Sequence, residues 1–506
     1  MPIILNDDVL HDIAGECSLS SLTNLCCVST RFYAVTLPHL LRDVTRIDNP
    51  PSLRRFLLFI IDNSTSEWPE ETFHASPSPR FKDSDPGKHV FFFKVGQNAW
   101  GNDFDPDTRG LPEEYGLDTW APLLTRALSL MPNLRSVSIQ SEFDSMCQFC
   151  PNISTILLRM PLLVDLELGN ISSFASRSLE DAVRSAGSMD FKLKRISLIS
   201  AIGFDTDGLR SLVLACRDTL EFLKGGQSDL QELLHGGGDS ARSSTDSKAQ
   251  VILPNVHTLS SDGCRLRLKD VALSFPSLRT WCTTTIRRNV GDMDRRISLP
   301  NLVSIGLYDF RSFRNLLQRI DPPRHLRRLA LSSYCGDDNG DFATSSLIMQ
   351  AMRGLKILSL EFDADRLHTS DVNALTVLIK SLSSLIYLSV TMESSIMDRL
   401  ETLTKRTPQI FCSASMEYLS VSFRPSWPQN VDLGALALTY AQTVKSLKYL
   451  DICKPKTTCC RSEGRWWEIV HGESPCNEME SVKLEALREA QAMAIKDGYE
   501  KAIFHS

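Results

Sequence analysis

An α/β solenoid is the fold class this sequence predicts. Three observations carry it: a short apolar pattern that recurs at near-constant spacing, amphipathic stretches between the copies, and proline at the turns entering them. The pattern apolar-x-x-apolar-x-apolar stands at Leu134/Val137/Ile139, Leu163/Leu166/Leu168, Leu193/Ile196/Leu198, Leu302/Ile305/Leu307, Leu326/Leu329/Leu331, Leu355/Leu358/Leu360, Leu385/Leu388/Val390, Met416/Leu419/Val421 and Leu447/Leu450/Ile452. Weaker copies are Leu220/Leu223, Val256/Leu259 and Leu278/Trp281. First positions step by 29, 30 and 27 residues at the start and by 29, 30, 31 and 31 at the end, with 36, 22, 24 and 24 between them. Periods in this range mark stacked supersecondary units rather than several independent cores.

Each copy predicts a short strand. Side chains alternate along it, so the second and third apolar residues face the core and the residues between them face the other way. The segments Ser178 to Ala186, Phe310 to Ile320, Asp371 to Leu382, Ser395 to Thr407 and Asp432 to Val444 have helical spacing. In the third, Val372, Leu375, Leu378, Ile379 and Leu382 recur every three to four residues, with Ser370 or Asp371 as a helix cap. Pro132, Pro254, Pro276 and Pro300 precede strands, where a helix must stop. Strand then helix, repeated, predicts a parallel sheet on a concave side and helices on a convex side: a leucine-rich-repeat solenoid. It is expected over residues 50–452, with Val90/Phe93/Val95 as an early strand. The stretch 225–250 is rich in Gly, Ser and Asp and predicts a mobile insertion. Residues 453–506 predict a terminal cap, with Trp466 and Trp467 packed and a helix from Val482 to Lys496 carrying Val482, Leu484, Leu487 and Ala490 on its apolar side.

Residues 3–47 predict three short helices. Asn6 is placed to cap the first, Asp7 and Asp8 suit its dipole, and the third is expected to run to Pro38. Such a unit is too small to bury its apolar stripe alone, so it packs on the solenoid or meets a partner. The run Leu5-Asn-Asp-Asp-Val-Leu-His-Asp-Ile followed by Leu22-Thr-Asn-Leu-Cys-Cys-Val-Ser-Thr-Arg-Phe-Tyr resembles an F-box, with Asn6 where that motif usually has proline. An F-box ahead of leucine-rich repeats is similar to the substrate receptors of cullin-based ubiquitin ligases, above all their fungal families. The resemblance implies that Leu5, Val9, Leu10, Ile13, Leu22, Leu25, Val28 and Phe32 face the ligase adaptor subunit, and through it a cullin, while the solenoid holds a protein substrate. The alternative is that these helices only cap the first repeat, in a scaffold unconnected to ubiquitination.

Composition narrows the function classes. A net charge of -6 over 506 residues lacks the basic excess that nucleic-acid binding needs. No stretch of about 18 apolar residues suggests a membrane span, and the acidic N-terminus does not read as a secretory signal, so an intracellular protein is expected, cytoplasmic or nuclear. The 14 cysteines lack paired spacing and read as free thiols. Cys147 and Cys150 stand three apart without a second pair, and Cys453, Cys459, Cys460, His471 and Cys476 are irregular, so no metal and no cofactor is expected. No nucleophile elbow, phosphate loop or zinc-protease motif occurs, and no enzymatic activity is expected.

The sharpest binding candidate lies on the concave strand face. The residue before the second core position is Arg328, Ile357, Tyr387, Tyr418 and Tyr449 in successive repeats, which predicts a row of tyrosines on adjacent strands. Ala330, Ser359, Ser389 and Ser420 beside them are small, leaving the rings open to a partner. Tyrosine offers rigid contact area with a polar tip, so Tyr387, Tyr418, Tyr449 and Arg328 are the expected substrate-binding residues.

Overall fold

The structure, a computed structural model, describes residues 6–47, 49–64, 85–96, 117–140, 142–187, 191–200, 207–226, 230, 233–234, 250–261, 266–284, 296–321, 323–334, 346–363, 369–393, 407–408, 410–411, 415–424, 432–453, 464–471 and 482–505. The chain divides into two compact units, residues 1–256 and 257–506. Each is a leucine-rich-repeat-like array of parallel strands taken in sequence order, with helices between most of them.

The first unit opens with three helices, α1 (Asp7–Glu16), α2 (Leu19–Cys26) and α3 (Thr30–Arg42). Ser18 and Ser29 set the starts of the second and third, their hydroxyls accepting from the backbone N–H of Ser21 and Phe32 at 3.2 Å each. Asn6 occupies the cap position of α1 but makes no capping bond; its amide donates instead to Asp8 Oδ2 at 3.2 Å. Pro38 does not end α3, which runs on to Arg42.

The sheet then begins earlier than expected, inside the span assigned to the helical segment. Its strands are β1 (Asp43–Ile47), β2 (Phe92–Val95), β3 (Ser136–Ile139), β4 (Asp165–Ile171), β5 (Arg195–Ser200) and β6 (Phe222–Gly225). The helices between are α4 (Pro50–Asn63), α5 (Leu117–Ser129), α6 (Phe143–Phe149), α7 (Ile153–Leu158), α8 (Ser173–Ala186) and α9 (Asp207–Ala215). Register aligns Phe93, Val137, Leu166, Ile196 and Leu223 across five strands, and all five side chains are buried. Inside the expected insertion, Leu230, Leu233 and Leu234 are helical and fully buried, so part of it belongs to the core. Residues 227–229, 231–232 and 235–249 lie outside the described residues.

The second unit continues the pattern with β7 (Thr258–Ser261), β8 (Thr280–Thr283), β9 (Ser304–Leu307), β10 (Arg328–Tyr334), β11 (Ile357–Asp363), β12 (Tyr387–Glu393), β13 (Tyr418–Arg424) and β14 (Tyr449–Cys453). Leu259, Trp281, Ile305, Leu329, Leu358, Leu388, Leu419 and Leu450 stand in one register row and are buried. Its helices are α10 (Leu268–Ser274), α11 (Phe310–Leu317), α12 (Ser346–Met352), α13 (Thr369–Ser381) and α14 (Leu433–Thr443). Ser370 and Asp371, expected as caps, fall inside the first turn of α13, whereas Asp432 does cap α14. Of the expected helix 395–407, only Thr407 is among the described residues.

The turns entering the strands do more than stop helices. Asn133 donates to the Lys88 carbonyl at 2.7 Å, Asn255 to that of Asp218 at 2.8 Å and Asn301 to that of Pro276 at 3.2 Å. Ser415 and Ser446 make the same kind of bond to Ser383 and Met416, at 2.9 and 2.8 Å. Each turn thus satisfies a carbonyl of the preceding repeat and fixes the stacking.

The end of the second unit departs from expectation. β15 (Gly464–His471) pairs antiparallel with β14, and β16 (Val482–Ala486) pairs antiparallel with β15, so Val482 to Ala486 is a strand and not the start of a helix. The helix, α15 (Glu489–His505), begins later and runs beyond Lys496. Among the described residues no helix is long and apolar enough to cross a membrane.

Candidate protein-interaction site

Two surfaces were expected to carry recognition, one in each unit. In the three-helix segment, Leu10, Ala14, Leu22 and Val35 form a small closed core, with Phe32, Cys17 and Leu40 packed against it. Leu10, Leu22 and Phe32 therefore hold the segment together instead of facing outward. Leu25 is half-buried, and Leu5 lies outside the described residues. The remaining three candidates are on the surface: Val9 is 42% exposed, Ile13 46% and Val28 64%. Val9 and Ile13 stand four residues apart on one face of α1. Leu19, not singled out in the sequence, is also exposed. On its other side, α3 packs on the 86–89 turn and on β1, and its Arg42 carbonyl accepts from Phe91 N at 3.1 Å.

In the second unit the register places Arg328, Ile357, Tyr387, Tyr418 and Tyr449 in one row across β10 to β14. The expected tyrosine row is present. Tyr387 and Tyr418 meet edge to face, with centroids 5.0 Å apart at 85°, whereas Tyr418 and Tyr449 are tilted, 6.1 Å apart at 37°. In the first pair the edge of one ring meets the negative face of the other, an arrangement contributing about 0.5–1.5 kcal/mol beyond area burial.

The row is not open to solvent. Tyr387 is 1% exposed and Tyr418 2%, because Ile495 and Tyr499 of α15 pack over Ile357, Tyr387, Tyr418 and Tyr449. The Tyr499 ring lies 5.6 Å from that of Tyr418, 6.3 Å from Tyr449 and 6.5 Å from Tyr387. Its hydroxyl donates to Glu417 Oε2 at 2.9 Å, and Glu417 is also held by Lys448 at 3.0 Å. The space over the rings is used by the chain's own helix α15.

A charged pair lies under that helix. In register with Ser420 stands Asp451, 1% exposed, whose Oδ2 accepts from the Tyr418 hydroxyl at 3.1 Å and lies 3.6 Å from Lys496 Nζ. Burial raises the Asp451 pKa, and Lys496, Ser420 and Tyr418 offset this only in part. Burial also acts to lower that of Lys496, but Asp451, Tyr387 and Cys453 beside it together outweigh this, and its pKa is raised. Tyr387 is pushed up to about 12 and Tyr418 is raised further, in both cases chiefly by burial. Arg328 pairs with Glu500 of α15 at 3.7 Å, so all four expected binding residues contact or border this helix.

Sequence reading missed Asp451 and the seating of the terminal helix on this face, and a signal existed for both. The row Ala330, Ser359, Ser389, Ser420 is broken by an aspartate in the next repeat, and Lys496 and Tyr499 stand one helical turn apart. Cys147 is buried and Cys453 half-buried, burial pushing each thiol up to about 12, and Cys459, Cys460 and Cys476 lie outside the described residues. Among the described residues no cluster of three or more His, Cys, Asp or Glu is placed to hold a metal ion.

No protein-family model and no curated protein matches this sequence. Among solved structures, the crystal structure of the yeast Rad7 and Elc1 complex aligns over 84% of this chain and 90% of that chain, at 12% identity and a TM-score of 0.34. A complex of TLR13 with a single-stranded RNA aligns over 64% of this chain and 42% of that one, at 14% identity and a TM-score of 0.29. Both superpositions are loose, and the fold described above stands on strand order and register.

Proposed function

We propose that this chain is a non-catalytic recognition subunit of a cullin-based ubiquitin ligase, in which helices α1 to α3 act as an F-box that docks the ligase adaptor and the repeat array holds a protein substrate. The observation that carries this reading is the split within the helical segment. Its core is already filled by Leu10, Ala14, Leu22 and Val35, yet Val9, Ile13 and Val28 stay exposed. An apolar set that a small unit leaves uncovered marks a contact made with another molecule. The resemblance of residues 5–33 to an F-box names which molecule. On this reading the protein works in the cytoplasm or nucleus, needs no cofactor and catalyses no reaction itself.

The rival reading, a repeat scaffold with a helical cap, draws on the packing of α3 against the 86–89 turn. The two differ in what the outer face does. Co-purification of the full chain with the adaptor is the test, in wild type and in a Val9→Asp/Ile13→Asp variant. Loss of capture by about tenfold or more, with unchanged thermal melting, is expected for docking through exposed residues. No capture by the wild-type chain sinks the ligase reading and leaves the scaffold.

A further inference from the structure

The substrate-holding half of the proposed function is sharpened by what lies on the tyrosine row. We propose that the face built by Arg328, Tyr387, Tyr418, Tyr449 and Asp451 is a receptor for an amphipathic helix, that α15 is its resident occupant, and that a partner helix carrying a cation and a tyrosine three residues apart displaces it. This rests on the reading of the array as a recognition surface, though not on the adaptor being a ligase subunit.

The occupant defines the recognition chemistry. Ala492, Ile495, Lys496, Tyr499 and Glu500 lie at helical spacings of three and four, a single stripe, and over 489–502 these are the residues of α15 that are buried or half-buried. Lys496 meets Asp451, Tyr499 enters the tyrosine rings and donates to Glu417, and Glu500 meets Arg328. Two opposite-charge pairs, Lys496 with Asp451 and Glu500 with Arg328, flank the neutral Tyr499 contact. Such pairs add little net stability when buried but penalise mismatched sequences, so they specify which helix fits.

Three features make the occupant separable. First, α15 is no repeat: it follows the closing β15 and β16 strands, and Met493 and most of its outer residues are exposed. Second, Gly498 lies in its interior, and a Cβ there would meet nothing within 4 Å. Packing does not demand glycine, so this position weakens the helix by about 1 kcal/mol relative to alanine with no steric return. Most of a helix's stability within a protein comes from packing of its apolar face, so α15 depends on its docking stripe. Third, the seat is incompletely satisfied: Asp451 Oδ1 makes no hydrogen bond of normal geometry among the described residues. A ligand that satisfies this oxygen better than α15 does has an advantage in competing for the face.

The test uses a fluorescent synthetic peptide of sequence 489–505, titrated into three full-length proteins and read by anisotropy. The wild type is compared with Lys496→Glu/Tyr499→Ala, which loosens the resident helix, and with Gly498→Ala, which tightens it without touching the sheet. Expected affinity for the peptide is highest for the double variant, at least about tenfold above wild type, and lowest for Gly498→Ala. A peptide carrying the same Lys→Glu and Tyr→Ala changes should bind none of them. Binding to no protein, or equal binding to all three, overturns the proposal. So does loss of cooperative melting in the double variant, since α15 would then be a fixed part of the core. The adaptor assay reads α1 to α3, so its failure is distinguishable from any of these.

Discussion

The three-helix segment and the tyrosine row both carry large side chains outside the main repeat core, and the chain treats them in opposite ways. Around α1 to α3 the surface residues Val9, Ile13, Leu19 and Val28 stay exposed above a closed core. Across β10 to β14 Tyr387 and Tyr418 are sealed, and Tyr449 half-buried, by a helix whose charges match the seat. The difference teaches what kind of partner each region takes. An uncovered aliphatic set asks only for complementary apolar shape, whereas a covered aromatic row with a buried aspartate asks for one side-chain order.

Substitutions sharpen this contrast, and the largest effect is expected at the seat. Tyr418→Ala removes a ring shared with Tyr387, Tyr449 and Tyr499 and leaves Asp451 without its hydroxyl donor, so destabilisation of the second unit by about 3–5 kcal/mol is expected in denaturant melts. In the helical segment Leu10→Ala should cost about 2–5 kcal/mol, while Ile13→Ala should stay within about 0.5 kcal/mol. Equal costs at the two positions, measured by amide exchange over residues 7–42, would show that both lie inside.

Tyr418→Phe keeps the ring and deletes only the bond to Asp451, for an expected loss of about 1–3 kcal/mol. Alkaline titration addresses the same burial. The folded pKa of Tyr387 and Tyr418 lies above the unfolded value near 10, so the folded state holds their protons where the unfolded state releases them. Stability is therefore whole below about pH 10 and falls as pH rises above it, and the phenolate absorbance of these residues should appear together with unfolding. Phenolate signal from all nine tyrosines in a still-folded protein at pH near 10 would contradict the sealed row. The smallest effect is expected for Arg328→Ala, whose half-exposed pair with Glu500 should contribute at most about 1 kcal/mol.

How far the sequence went follows from the kind of signal each element leaves. The strands were legible because a buried residue at every second position repeats in register, and Tyr387, Tyr418 and Tyr449 inherited their alignment from it. The covering helix was not. Val482 and Leu484 alternate as a strand does, but Leu487 and Ala490 continue them at helical spacing, so the strand and the helix merged into one reading. Within residues 7–42 periodicity located the apolar stripe without dividing Leu10, which faces α3, from Ile13, which faces solvent. That division depends on the angle between helices, which no single-helix pattern encodes.

Amide hydrogen exchange across residues 489–505 tests the covered tyrosine row most directly. In the wild-type protein these amides should be protected far beyond an isolated helix, and in Tyr418→Ala they should approach free-peptide rates while β10 to β12 stay protected. Free-peptide exchange in the wild type, or the same protection in both proteins, would contradict a helix seated on that face.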